Sequence, residues 1–186
     1  MKHIKATLIK TAVEKYASLE DFYVANNIDE DELYYLGKGD FGVAYSIGDG
    51  RVLKKTTSVN EFNIAQKLQS SHIDVFAKVY ATAVVDNDKY IILEELETDS
   101  VIEDKFYEVL SILEPQGLSV QYIEYLDEDE VDGGISPEMQ KFIDALCSIV
   151  SGYRRLGIEA SDIRPENLGY GSKGVLKAFD IDDKAR

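Results

Sequence analysis

Ala160-Ser161-Asp162-Ile163-Arg164-Pro165-Glu166-Asn167-Leu168, with Asp180 following in Ala178-Phe179-Asp180-Ile181-Asp182-Asp183, is the stretch on which the reading of this 186-residue chain turns. Apolar runs over 167–170 and 175–179 flank Gly171-Ser172-Lys173-Gly174, and that pattern predicts a small hairpin. One tight hairpin thus delivers an asparagine amide and a carboxylate from the two ends of a short segment.

Working upstream, Ser136-Pro137-Glu138 opens a predicted helix over 137–156, because serine caps a helix and proline fits its first turn. Its apolar set, Met139, Phe142, Ile143, Leu146, Ile149, Val150, Tyr153 and Leu156, repeats at three and four, the mark of a core helix with Cys147 as packing. A second helix is expected over 101–113, from Val101, Ile102, Phe106, Val109, Leu110 and Leu113. Between them, Glu124 to Asp132 holds six acids in nine residues. As a calcium loop this segment has Asp127, Asp129 and Glu138 in the first, third and twelfth ligand positions, but Val131 in the fifth and Asp132 where glycine is needed. It reads as a solvated acidic loop.

The first half carries the strand signals. Short apolar runs over 33–38, 43–47 and 52–56 are cut by turns, and Asp49-Gly50 is a hairpin turn because its central positions need φ > 0. Asn60 is expected to cap a short helix bearing Phe62, Ile64, Ala65 and Leu68. Runs over 78–85 and 89–96, separated by Asp86-Asn87-Asp88, form a further hairpin. The prediction is a five-stranded antiparallel sheet with one helix against it. Ahead of it, Leu8, Ile9, Ala12, Val13, Tyr16, Leu19 and Tyr23 predict an amphipathic helix over 6–24.

Leu36-Gly37-Lys38-Gly39-Asp40-Phe41-Gly42-Val43-Ala44 lies between two of the predicted strands. Glycines there let a backbone approach a polyphosphate and turn N–H groups toward its oxygens. A dinucleotide fold would place such a motif between a strand and a helix, so the strand-loop-strand context points to a flap over nucleotide phosphates, with a merely flexible hairpin as the plain alternative. In the next strand Lys54 shares a face with Val52 and reaches under the flap, while Lys55 points away. A buried lysine needs a counter-charge, and Glu61 is the only acid between Arg51 and Ile73.

With these pieces in this order, the sequence resembles the protein kinase superfamily, whose H-R-D-L-K-P-E-N pattern stands here as Ala160 to Asn167, with Asp162 and Asn167 five apart. The compact form also resembles small kinase-like proteins of bacteria and their viruses. The resemblance implies an α+β, protein kinase-like fold: an N-terminal helical extension over 1–27, an N-lobe with a five-stranded antiparallel sheet over 28–96, and a truncated, mainly helical C-lobe over 97–186. A hinge would run from Leu96 to about Asp99. It further implies that Gly37, Gly39 and Gly42 cover the phosphates of ATP with Phe41 at the loop tip, and that Leu36, Ala44 and Val52 line the adenine. Lys54 would bind the α- and β-phosphates and pair with Glu61, Asp162 would accept the proton of the substrate hydroxyl, and Arg164 would stand near the γ-phosphate. Asn167 and Asp180 would hold Mg²⁺. Phosphoryl transfer needs positioning and charge neutralisation, and oxygen ligands from one hairpin suit magnesium.

Departures from the family pattern shape the functional expectation. The histidine of the catalytic loop is Ala160, its arginine is Ser161, and the glycine after the metal aspartate is Asp182. The resemblance covers about 33–183, with no activation segment, A-P-E motif or later substrate-binding helices expected. Phe179-Asp180-Ile181-Asp182-Asp183 looks more like the metal-binding end of small-molecule kinases of the aminoglycoside phosphotransferase type.

Composition bounds the partners. Twenty Lys and Arg against 35 Asp and Glu give a net charge of −15, which disfavours nucleic acid and anionic membrane as partners. No apolar run approaches the roughly 18 residues of a membrane helix, and no signal peptide is expected. One cysteine, with only His3 and His72 beside it, allows no internal disulfide and no Cys/His zinc site, and the expected setting is the reducing cytoplasm. Three readings stand: an ATP- and Mg²⁺-dependent phosphotransferase acting on a protein or small-molecule hydroxyl; a catalytically weak or inactive kinase-like module that binds a protein partner through its sheet and acidic surface; and a scaffold or assembly protein. A second copy that completes the large lobe is among the expected partners.

Overall fold

The computed structural model describes residues 14–71, 73–131, 133–161, 163–179 and 181. The chain is an α+β fold. Strands β2 (Tyr34–Lys38), β3 (Gly42–Ser46), β4 (Arg51–Thr56), β5 (Val79–Val85) and β6 (Asp88–Glu94) form an antiparallel sheet in the order β5-β6-β4-β3-β2. A two-residue strand, β1 (Glu14–Lys15), adds to its edge parallel to β5. Helices α1 (Leu19–Ala25) and α2 (Val59–Gln69) belong to this part, and α3 (Ser100–Leu113), α4 (Pro137–Leu156) and the hairpin β7 (Leu168–Tyr170) and β8 (Leu176–Ala178) follow. Among the described residues no helix is long and apolar enough to cross a membrane.

The three anticipated hairpins form, β7–β8 among them, and the two within the large sheet have turn chemistry that matches their residues. Asp86 and Asn87 take φ of 50° and 71°, so the connection has two residues and Asp88 already belongs to β6. Gly48, Asp49 and Gly50 all have positive φ, and the Arg51 N–H closes the loop on the Gly48 carbonyl at 3.0 Å.

Two expectations are corrected. The continuous helix over 6–24 is not present in its described part: Glu14 and Lys15 pair with Ala83 and Val84, and α1 starts only after Ser18, whose hydroxyl accepts the Asp21 N–H at 3.1 Å. Residues 6–13 lie outside the described residues. The cap of α2 is Ser58, not Asn60; Ser58 accepts the Glu61 N–H at 3.1 Å, which places Asn60 inside the first turn.

Alternation along the strands gives the sheet two apolar faces. The outer face carries Leu53, Ala83, Tyr90 and Ile92 and is covered by Phe22 and Tyr23 of α1. Phe22 is fully buried and packs on Tyr90 at 5.5 Å between ring centroids, a burial that contributes about 2–3 kcal/mol. The segment 14–27 therefore props the sheet from behind. The inner face carries Val79, Ile91 and Leu93, against which α2 packs Phe62 and Ala65. A larger core joins α3, α4 and the β7–β8 hairpin, with Leu146, Ile149 and Val150 fully buried on α4. Burial is the main force holding the Cys147 thiol above its ordinary pKa, with the Asp144 carboxylate adding to it, so it stays a protonated packing group.

The acidic segment is exposed, as expected, and side-chain bonds tie it to its neighbours. Glu124 receives Arg154 of α4, Gln116 bonds the Asp127 backbone at 2.8 and 3.0 Å, and Gln140 donates to Glu128 at 3.0 Å. Glu138, the twelfth position of the calcium-loop comparison, instead pairs with Lys105 at 2.8 Å. Asp132 lies outside the described residues.

Candidate functional site

Sheet and helical parts meet through a short connection after β6 and through the β7–β8 hairpin. Glu97 exchanges backbone hydrogen bonds with Tyr170 at 2.8 and 2.9 Å, and the Ala77 N–H donates to the Ala178 carbonyl at 2.8 Å. Glu94 at the end of β6 accepts from Lys177 of β8 at 2.6 Å, both side chains being well buried. Gly171 lies against this pair: a Cβ there would stand 2.8 Å from a Glu94 carboxylate oxygen, so the Glu94 side chain would have to shift.

In front of this joint lies a cavity of about 740 Å³. Every described member of the anticipated site lines it. The β2–β3 loop brings Leu36, Gly37, Gly39, Phe41, Gly42 and Ala44; β4 brings Val52 and Lys54; α2 brings Glu61; and the segment before β7 brings Arg164 and Asn167. Asp162 and Asp180 lie outside the described residues.

Lys54 and Glu61 form an ion pair at 2.5 Å with side chains 16% and 7% exposed. Their meeting follows from local structure. Val52, Lys54 and Thr56 share the inner face of β4, and the Ser58 cap starts α2 so that Glu61 falls in its first turn, facing that strand. Lys55 faces the other way, bonded to Asp88 and lying over the Tyr90 ring, as the alternation requires. Asp88 is the main cause that raises the Lys55 pKa.

The loop over the cavity is pinned at its tip. The Phe41 carbonyl accepts the Thr57 N–H at 2.6 Å and the Thr57 hydroxyl at 2.9 Å, and the Gly39 N–H donates to the Gly42 carbonyl at 3.0 Å. The three glycines differ in what they are for. A Cβ on Gly42 would stand 2.1 Å from the Lys55 carbonyl oxygen, so β3 and β4 need this glycine whatever the cavity holds. A Cβ on Gly37 or Gly39 would meet nothing within 4 Å, and neither has a positive φ. Nothing in the fold asks for glycine at those two positions.

Opposite the loop, Asn167 ends the 3-10 turn Pro165–Asn167 and is 9% exposed. Its carbonyl accepts the Phe179 N–H at 2.9 Å, which ties the turn to the strand leading toward residue 180. Arg164 lies 3.6 Å from Glu166 and is half-exposed at the rim.

Several lining residues were not singled out from sequence. Val79, Ile91 and Leu93 make the apolar back wall and Glu95 edges the cavity, beside Leu96 and Thr98 of the expected hinge and Phe179 and Ile181 of the quoted stretch. The wall residues were legible in principle as the inner face of two strands, once Lys54 had fixed which face looks inward. Thr56 was also missed; it is 3% exposed, and its hydroxyl donates to Glu61 at 2.6 Å. The arrangement offers an apolar slot beside a held ammonium and a buried amide, with a glycine-bearing loop above. No protein-family model matches the chain, and no curated protein matches it in sequence.

Proposed function

We propose that the chain is a kinase-like, ATP- and Mg²⁺-binding phosphotransferase that moves the γ-phosphate to a hydroxyl of a protein or small molecule. The observation that carries this reading is the convergence of Lys54, Glu61, Asn167, Arg164 and the glycine loop on one cavity. The residues present fit the ligand: Val52, Ala44, Leu36 and Leu93 supply an apolar slot for a base, and Gly37 and Gly39 leave open the space a Cβ would fill. Asn167 is buried in the cavity lining, and with Asp180 it would hold the magnesium.

In this reading Lys54, kept charged and placed by Glu61, neutralises the α- and β-phosphates, and Arg164 reaches the γ-phosphate from the rim. Asp162 orients the acceptor hydroxyl and takes its proton. Magnesium, when bound, supplies further charge neutralisation on the phosphate oxygens. Calorimetry of ATP with and without Mg²⁺ tests the assignment. Binding should depend on Mg²⁺ in the parent and lose that dependence in Asp180→Ala, whereas Asp162→Ala should keep nucleotide affinity and lose transfer. No binding at millimolar ATP would overturn the reading.

The second reading, a catalytically weak or inactive kinase-like module for a protein partner, draws on β2, an edge strand on which Tyr34 and Tyr35 are exposed. A partner retained by Lys54→Ala and Asp180→Ala variants would favour it.

A further inference from the structure

The resemblance to kinases gives Thr56 no role, yet among the described residues it is one of four buried polar or charged ones. It follows Lys54 by two residues on the inner face of β4. Its hydroxyl lies 2.6 Å from Glu61 Oε2 and 3.3 Å from the Phe41 carbonyl, and it accepts the Ser58 N–H at 3.0 Å. A hydroxyl has one proton. The short contact to a carboxylate takes it, and the Ser58 amide fixes the oxygen from the other side. Glu61 thereby has its two oxygens divided, Oε1 to Lys54 at 2.5 Å and Oε2 to Thr56.

This division has a geometric effect. A carboxylate at the end of three rotatable bonds, held only by a lysine, can turn and take the lysine with it, since the ammonium follows a point charge and not a fixed direction. Anchoring one oxygen to a strand backbone residue removes that freedom. The neighbouring Thr57 holds the Phe41 carbonyl with both its N–H and its hydroxyl, so consecutive threonines register the carboxylate and the loop tip against one point of the sheet.

We propose that Thr56 is the positioning residue of the phosphate subsite: through Glu61 it sets where the Lys54 ammonium stands beneath the glycine loop. The proposal rests on the nucleotide reading given above. It acts on the phosphate end of the cavity, because its link runs through Glu61 to Lys54 and not to the residues of the base slot.

The test compares Thr56→Val, which removes the hydroxyl at nearly constant volume, with Thr56→Ser, which keeps it, using calorimetry with Mg-ATP and with adenosine, alongside thermal unfolding without ligand. Loss of a hydrogen bond to a charged group predicts Mg-ATP binding weaker by about tenfold or more in Thr56→Val, adenosine binding unchanged, and Mg-ATP binding restored in Thr56→Ser. If Thr56→Val fails to fold, Thr56→Ala replaces it with the same expectation. Mg-ATP affinity equal to the parent in the folded hydroxyl-less variant, or equal losses for ATP and adenosine, would overturn the proposal while leaving the nucleotide reading intact. A parent that binds neither ligand would overturn both.

Discussion

Replacing Gly42 and Gly39 by alanine separates what the fold needs from what the cavity needs. At Gly42 the new Cβ lies 2.1 Å from the Lys55 carbonyl oxygen and 3.1 Å from Thr56 Cα, both backbone atoms that cannot swing aside. The β3–β4 ladder must open from 2.1 Å to beyond 3.0 Å at its Gly42–Thr56 rung. Overpacking of this kind costs about 1–3 kcal/mol, and in a chain of this length about 2 kcal/mol lowers Tm by about 6 °C. At Gly39 the Cβ meets nothing within 4 Å. Stability there should hold or rise by about 0.5 kcal/mol, because alanine restricts the unfolded chain. Urea and thermal unfolding read the two variants, and ATP titration adds the second axis: Gly39→Ala should weaken nucleotide binding at unchanged Tm. Equal unfolding midpoints for Gly42→Ala and Gly39→Ala would refute the steric argument. Unchanged ATP affinity in Gly39→Ala would refute the ligand-side reason for its missing side chain.

Breaking the buried Lys54–Glu61 pair by Lys54→Met should cost about 3–5 kcal/mol in urea unfolding, since it strands a carboxylate that is 7% exposed. The double variant Lys54→Met/Glu61→Leu should recover most of that loss, and a single variant costing under about 1 kcal/mol would show that the pair is not held as described. The exposed pair Lys105–Glu138 gives a pH signature. Its hydrogen bond to Lys105 holds the Glu138 pKa below the ordinary 4.5, so its contribution is full above 4.5 and is lost as pH falls through the depressed value. Lys105 is raised above 10.5 by the same bond, so its contribution is full below 10.5 and is lost as pH climbs through the raised value. The urea midpoint of Lys105→Ala should therefore differ from the parent by a constant amount between these limits and converge with it outside them; a difference that changes near neutral pH would point to another group.

The sheet was legible because its turns are chemically marked. Asp49-Gly50 and Asp86-Asn87 are residues that tolerate positive φ, and each lies between apolar runs, so strand ends and pairing followed together. Helix α4 was legible to the residue for a similar reason, with Ser136 and Pro137 at its start and Gly157 at φ 72° past its end. Strand β1 was not, because Glu14-Lys15 has no apolar content and its parallel pairing is with residues 83 and 84, far along the chain, which no local pattern marks. The extended N-terminal helix was an error of period: Tyr16 has the right spacing from Leu19 and Tyr23, but it makes its edge contact with Phe22, at 5.2 Å between centroids, from outside the helix. Thr56 was half legible: alternation from Lys54 puts it on the inner face, but no sequence pattern says that its hydroxyl meets a carboxylate five residues on.

A buried ion pair is a poor way to stabilise a sheet, since desolvating two charges offsets most of their attraction, and an apolar pair of similar size would serve the fold as well or better. Here the pair is also supported from outside, by a buried threonine and a helix cap that fix the position of Glu61. Gly37 and Gly39 raise the same question from the backbone: each adds conformational freedom to the unfolded chain at a position where the folded one has room for a side chain. Lys54, Glu61, Gly37 and Gly39 all depart from what stability alone would select, and all four line one cavity. Sequences that are locally consistent elsewhere concentrate such departures where a ligand binds. The proposed nucleotide reading accounts for that cost, because a phosphate beneath the glycine loop would use the ammonium that Glu61 holds and fill the space that the two glycines leave open.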